Sequence, residues 1–155
     1  MPTDPHAAGL DALAAHFRGM PPVAAMDIAL AGFDGDCLRL SAPLARHVND
    51  KGCAFGGSLV SLMTLAGWGL VTLRLQAAGL RADVFVADSA VRFRKPLYAD
   101  LAATARLAPG AGWDALVDAL RARGRGEATV AATVALPDGG DAARMSARYV
   151  AIATG

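Results

Sequence analysis

Cysteine is scarce in this sequence. Two residues in 155, Cys37 and Cys53, lie sixteen positions apart. They form no CxxC pair and no Cys/His spacing suited to zinc, so no metal site is expected. A reduced, cytoplasmic setting without a disulfide is the simplest expectation. An excess of charge of one sign is lacking too: fifteen basic residues face fourteen acidic ones. That balance gives no reason to expect nucleic acid or an anionic membrane surface as a partner. The opening stretch MPTDPHAAGLDALAAHF has no basic n-region and no continuous apolar run, so it does not read as a signal peptide. Repeats, low-complexity tracts and a second domain are also absent. A single domain over 1–155 is expected, with a flexible tail at 1–7.

What the chain does have is apolar surface. Hydrophobic residues make up 54% and charged ones 19%, and the length suits one core. From Ala54 to Leu73 there are twenty residues without a charge, AFGGSLVSLMTLAGWGLVTL. That is long enough to span a bilayer. Four glycines and four Ser or Thr interrupt it, and everything after it patterns as strands. The expectation is a helix wrapped by protein on every side, not a membrane span.

Leu10, Leu13, Ala14 and Phe17 recur at helical spacing, which predicts a short helix over 8–18, ended by Gly19 and Pro21–Pro22. Strands are expected over Val23–Phe33 and Cys37–Leu44, joined at Asp34–Gly35. A loop at 45–56 leads into the long helix, about 57–78. Leu59, Leu62, Met63, Ala66, Leu70 and Leu73 line one face, and Gly79 suits the left-handed position past its end. Residues 83–97 read as a long strand stopped by Pro96. Asp88 falls on the same side as Val84, Val86 and Ala90, a side expected to be buried. Leu101–Ala108 is another strand. The stretch 109–126 reads as a connection with a short helix, and Glu127–Leu136 and Ala142–Ala153 form a closing hairpin across PDGGD. Strands gathered around one segregated helix indicate an α+β chain with an antiparallel sheet. A helix this apolar needs the sheet curled around it, which is the hotdog architecture.

The site question centres on NDKGCAFGGS, residues 49–58. A plain reading is that Asn49 and Asp50 shape a turn while Gly57 or Ser58 caps the helix. A functional reading is that this turn receives a carbonyl oxygen. Asn49 offers uncharged amide donors, and the helix start offers free backbone N–H groups reinforced by the dipole. Glycine lets a substrate approach that backbone closely.

The segment APLARHVNDKGCAFGGSLVSLMTLAGWGL, residues 42–70, resembles a hotdog family of thioesterase-like proteins, one that also occurs as the C-terminal domain of some acetyltransferase fusions. ADSAVRFRKPL at 87–97 and ARYVAIA at 147–153 agree with it. The resemblance implies a homodimer or dimer of dimers acting on acyl thioesters of coenzyme A or acyl carrier protein, with no cofactor beyond the coenzyme A or phosphopantetheine carried by the substrate. Some members of this family are malonyl-acyl carrier protein decarboxylases. Carried over position by position, the resemblance implies roles for Asn49, for Gly56, Gly57 and Ser58, and for Asp88. His47 stands where the resemblance would put a second asparagine.

The candidate catalytic residues are therefore Asn49, Ser58, Asp50 and Asp88. The candidate substrate-binding residues are His47, Phe55, Gly56, Gly57, Arg92, Arg94 and Lys95. Hydrolysis needs water activated by a base. Gly56–Leu73 holds no Asp, Glu or His, which leaves Asp50 and Asp88 as candidates. Decarboxylation of a malonyl thioester needs only a stabilised enolate oxygen and an apolar place for the departing carboxylate. Arg92, Arg94 and Lys95 could meet phosphates or an acidic carrier surface, or they could be ordinary solvated charges. A non-catalytic acyl-thioester binder remains a third reading, because the same donors would hold a carbonyl without turning it over.

Overall fold

The computed structural model describes residues 4–155, and Met1–Thr3 of the expected tail lie outside the described residues. The chain runs α1 (Ala7–Gly19), α2 (Pro21–Ala24), β1 (Ala29–Phe33), β2 (Cys37–Ala42), α3 (Gly56–Ala77), β3 (Ala82–Phe93), β4 (Leu101–Leu107), α4 (Trp113–Arg123), β5 (Arg125–Ala135) and β6 (Asp141–Ala153). All six strands form one antiparallel sheet in the order β1-β2-β4-β5-β6-β3. The sheet curls around α3, which contacts β2, β3, β4, β5 and β6. This is the hotdog fold.

The reason for the curl lies in α3. Leu59, Leu62, Met63, Ala66, Gly67, Gly69, Leu70, Val71, Leu73 and Leu75 are all buried, and they do not confine themselves to one stripe. By length and composition α3 would suffice to cross a membrane. Here its apolar surface is instead covered by Leu38, Leu40, Leu101, Val130, Val134 and Tyr149 from the sheet, and by Leu13 and Phe17 from α1. The helix ends in a Schellman motif. Gly79 sits at φ +74°, its N–H bonds Gln76 O, and Leu80 N–H bonds Leu75 O.

Two expectations need correction. Val23–Phe33 is not one strand. Pro21 and Pro22 occupy the first turn of α2, where their missing N–H groups cost nothing, and β1 begins only at Ala29. The face of Asp88 is not buried either. Val86 pairs with Tyr149 and Asp88 pairs with Arg148, so Ala87 is an extra residue between two consecutive partners. That bulge reverses the alternation of β3. Val84 lies inward before it and Val91 after it, while Asp88, Ala90 and Arg92 point outward and are exposed.

Candidate functional site

The chain enters the site through a 3-10 turn at Leu44–Arg46, after which His47 N–H bonds back to Leu44 O. Val48 and Ala54 then form an isolated antiparallel bridge, so 48–54 is a small closed loop. Asn49 organises its interior. Its Oδ1 accepts the N–H of Lys51 at 2.8 Å and of Cys53 at 3.1 Å, and its Nδ2 lies 3.2 Å from Cys53 Sγ. Gly52, at φ +83°, supplies the left-handed turn. One of the two Nδ2 hydrogens suffices for Cys53, which leaves the other as a donor. Cys53 and Cys37 are both free thiols.

The loop delivers the chain to the start of α3. Phe55 N–H bonds His47 O, and Phe55 O receives the first helical bonds, from Ser58 N–H and Leu59 N–H. The N–H groups of Gly56 and Gly57 lie ahead of those bonds and belong to the orphan donors of the helix start. The Phe55 ring lies over Gly57, so a side chain there would have to displace the ring, and the Phe93 ring lies against Gly56.

His47 is 5% exposed and sits between two partners. Nδ1 is 2.8 Å from Ser58 Oγ, and Nε2 is 2.8 Å from the Met26 carbonyl oxygen. A carbonyl only accepts. In the neutral ring Nε2 therefore carries the proton, Nδ1 offers its lone pair, and the Ser58 hydroxyl donates to it. Asp27, at φ +55°, turns the chain just after Met26 and into the approach to β1.

Ser58 opens onto a groove of about 530 Å³ between α2 and the first turns of α3. Pro22, Val23 and Met26 form one wall; Phe55, Gly57, Val60, Ser61, Thr64 and Leu65 form the other. Val23, Met26, Val60, Thr64 and Leu65 were not among the residues expected here. One signal for them was present: Gly57, Ser58, Ser61 and Thr64 make a small and polar stripe at helical spacing along an otherwise apolar helix.

The other expected site residues lie elsewhere. Asp50 is exposed and pairs with Lys51 at 2.9 Å. Asp88 is exposed on the outer side of the sheet, where Arg148 binds it at 2.7 Å and Glu127 at 3.0 Å. Those two carboxylates hold the Arg148 guanidinium above its ordinary pKa. Arg92 and Arg94 line a separate trough of about 560 Å³ with Arg144 and Ser146, which shares no lining residue with the groove. Lys95 is exposed beside them. Among the described residues no cluster of His, Cys, Asp or Glu could hold a metal ion.

The comparisons with known proteins agree with this architecture. A family model described as "Putative thioesterase (yiiD_Cterm)" matches residues 11–153. A solved structure from Shewanella oneidensis, described as a "putative thioesterase", is 28% identical, with 94% of this chain and 98% of that one covered and a TM-score of 0.83. Two proteins described as of unknown function share the fold at 23% identity. The one from Chlorobaculum tepidum has a TM-score of 0.87 over 95% of this chain and 99% of that one. The one from Pseudomonas aeruginosa has a TM-score of 0.78 over 99% of each chain. The chain belongs to this thioesterase-like hotdog family.

Proposed function

We propose that this family member is an enzyme that hydrolyses acyl thioesters of coenzyme A or acyl carrier protein, with the acyl chain lying in the groove beside α3. The observation that carries the reading is the Ser58 hydroxyl, bonded to His47 at 2.8 Å and opening onto an apolar groove at a helix start. The thioester carbonyl is received by the N–H groups of Gly56 and Gly57 and by the remaining amide donor of Asn49. One such donor is worth roughly 3–4 kcal/mol in a transition state that builds an oxyanion. Val60, Leu65 and Met26 offer the acyl chain an apolar bed. Phosphates of the carrier reach Arg92, Arg94 and Lys95 across a dimer in which β3 meets its counterpart. In support, β3 is an edge strand carrying exposed Phe85, Val86 and Phe93.

A second reading, decarboxylation of a malonyl thioester to an acetyl thioester, is favoured by one specific observation. Among the described residues no carboxylate lines the groove, and decarboxylation needs none. The same donors would then hold an enolate oxygen.

Incubation with malonyl-acyl carrier protein, malonyl-coenzyme A and longer acyl-coenzyme A, with products identified by mass, separates the readings. Free acid and free thiol are expected. Acetyl thioester with its C–S bond intact would replace hydrolysis by decarboxylation. Binding of these thioesters without turnover would make the chain a binder and sink both.

A further inference from the structure

We infer that Ser58 is a nucleophile and that His47, steered by the Met26 carbonyl, is its base; this rests on the acyl-thioester reading and adds a covalent intermediate to it.

His47 and Tyr149 are the only buried residues among the described ones whose side chains carry a nitrogen or oxygen. Tyr149 is accounted for by its bond to α3, Tyr149 Oη to Thr64 O at 2.7 Å. His47 needs its own account, because burying a polar ring is unfavourable unless its nitrogens are paired. Both are paired, but the pairing is asymmetric. Nε2–H donates to a backbone acceptor that cannot take a different role, so Nδ1 is left as a lone pair aimed at one hydroxyl. A third group fixes the tautomer of the base and the base faces the nucleophile, which is the logic of a hydrolytic triad with a carbonyl in place of the carboxylate.

Ser58 is the third residue of α3, inside the first turn and past the cap residue Phe55. Its hydroxyl caps no backbone N–H: α3 has no side-chain cap, and the hydroxyl is committed to His47. With the proton turned toward Nδ1, the oxygen lone pairs are free to face the groove that Ser58 lines. The neighbouring Gly57 N–H, which precedes the first helical bonds, is the orphan donor nearest Ser58 in the chain.

The steps balance with water as the only co-reactant. Ser58 Oγ attacks the thioester carbon as its proton passes to His47 Nδ1. The C–S bond breaks, and the leaving thiolate takes that proton. Water then attacks the seryl ester and gives a proton to Nδ1. The ester C–O bond breaks, the acid departs, and Ser58 Oγ recovers its proton.

The test uses a fluorophosphonate, which forms a P–O bond with an activated serine and loses fluoride, followed by peptide mapping of the intact wild-type chain. Ser58 is expected to carry the label. His47→Gln is expected to keep the wild-type thermal midpoint while labelling slows by roughly 100-fold or more, the usual worth of a positioned base. Acid quenching during acyl-coenzyme A turnover is expected to trap one acyl group on Ser58. Label on Ser61, or no label at all, overturns the pair, and so does full thioester turnover by Ser58→Ala. If Ser58 is labelled while no thioester is consumed, the nucleophile stands and the acyl-thioester reading falls.

Discussion

The Tyr149 hydroxyl occupies the space that a side chain at residue 67 would need. It donates to Thr64 O at 2.7 Å, and a Cβ built on Gly67 would overlap the hydroxyl and the ring carbons behind it. The glycine at 67 therefore allows β6 to reach the backbone of α3. Gly67→Ala is expected to destabilise by about 1–3 kcal/mol through overpacking. Tyr149→Phe should cost about 1 kcal/mol for the lost bond. Because the hydroxyl is the nearest obstacle, Gly67→Ala should cost less in the Tyr149→Phe background. Denaturant melts of the four proteins measure that coupling.

Burial pushes the Tyr149 phenol well above its ordinary 10.0. The folded state therefore keeps the proton where the unfolded chain has lost it. Below pH 10 both states hold the proton and the residue contributes no pH dependence. Above pH 10 stability should fall, by up to about 1.4 kcal/mol per pH unit, until the folded state also titrates. Melting curves between pH 9 and 12 should show this alkaline loss in the wild type and a smaller one in Tyr149→Phe.

Asn49 has two separable tasks. Asn49→Ala leaves the N–H groups of Lys51 and Cys53 without their acceptor, and about 1–3 kcal/mol of stability should go with it. Asn49→Asp retains acceptor oxygens and should keep most of the wild-type thermal midpoint. It loses the amide donor, so thioester turnover should still drop. Wild-type turnover in Asn49→Asp would leave Asn49 with the loop alone.

Asp50 and Asp88 face solvent, each bound to a cation of its own surroundings. Asp50→Asn should leave turnover within about twofold of wild type, and Asp88→Asn should do the same when sedimentation shows the same assembly as the wild type, since neither carboxylate lines the groove. A large loss in either would move the base away from His47.

The edge strand β3 exposes Phe85, Val86 and Phe93. Val86→Lys should convert the proposed dimer to monomer in sedimentation, since a charge on an edge opposes strand pairing. A wild-type monomer would remove the cross-subunit placement of Arg92, Arg94 and Lys95.

Much of this fold is legible in the sequence. The uncharged run predicts a wrapped helix, Gly79 marks its end, and PDGGD marks the last hairpin. What escapes is what a period cannot encode. A count of two carries Asp88 to the inner face, and one extra residue at Ala87 carries it back out. The apolar residues after Pro22 suggest a longer strand, but two prolines at a helix start outweigh them. The site is legible only in part. The GGS turn stands out, whereas the meeting of His47 with Ser58 depends on a loop closed by the Val48–Ala54 bridge, and its third member is a backbone atom of Met26.

The wrapped helix also sets an order of events for a chain made from its N-terminus. α3 is complete at Ala77, but β4, β5 and β6, which cover most of it, begin only at Leu101 and end at Ala153. For that interval a nascent chain carries a long greasy segment covered at most by α1, the first hairpin and β3. Slow translation downstream of Ala77 would lengthen the exposure and favour capture by chaperones or self-association. Synonymous changes that alter no amino acid could thus change soluble yield.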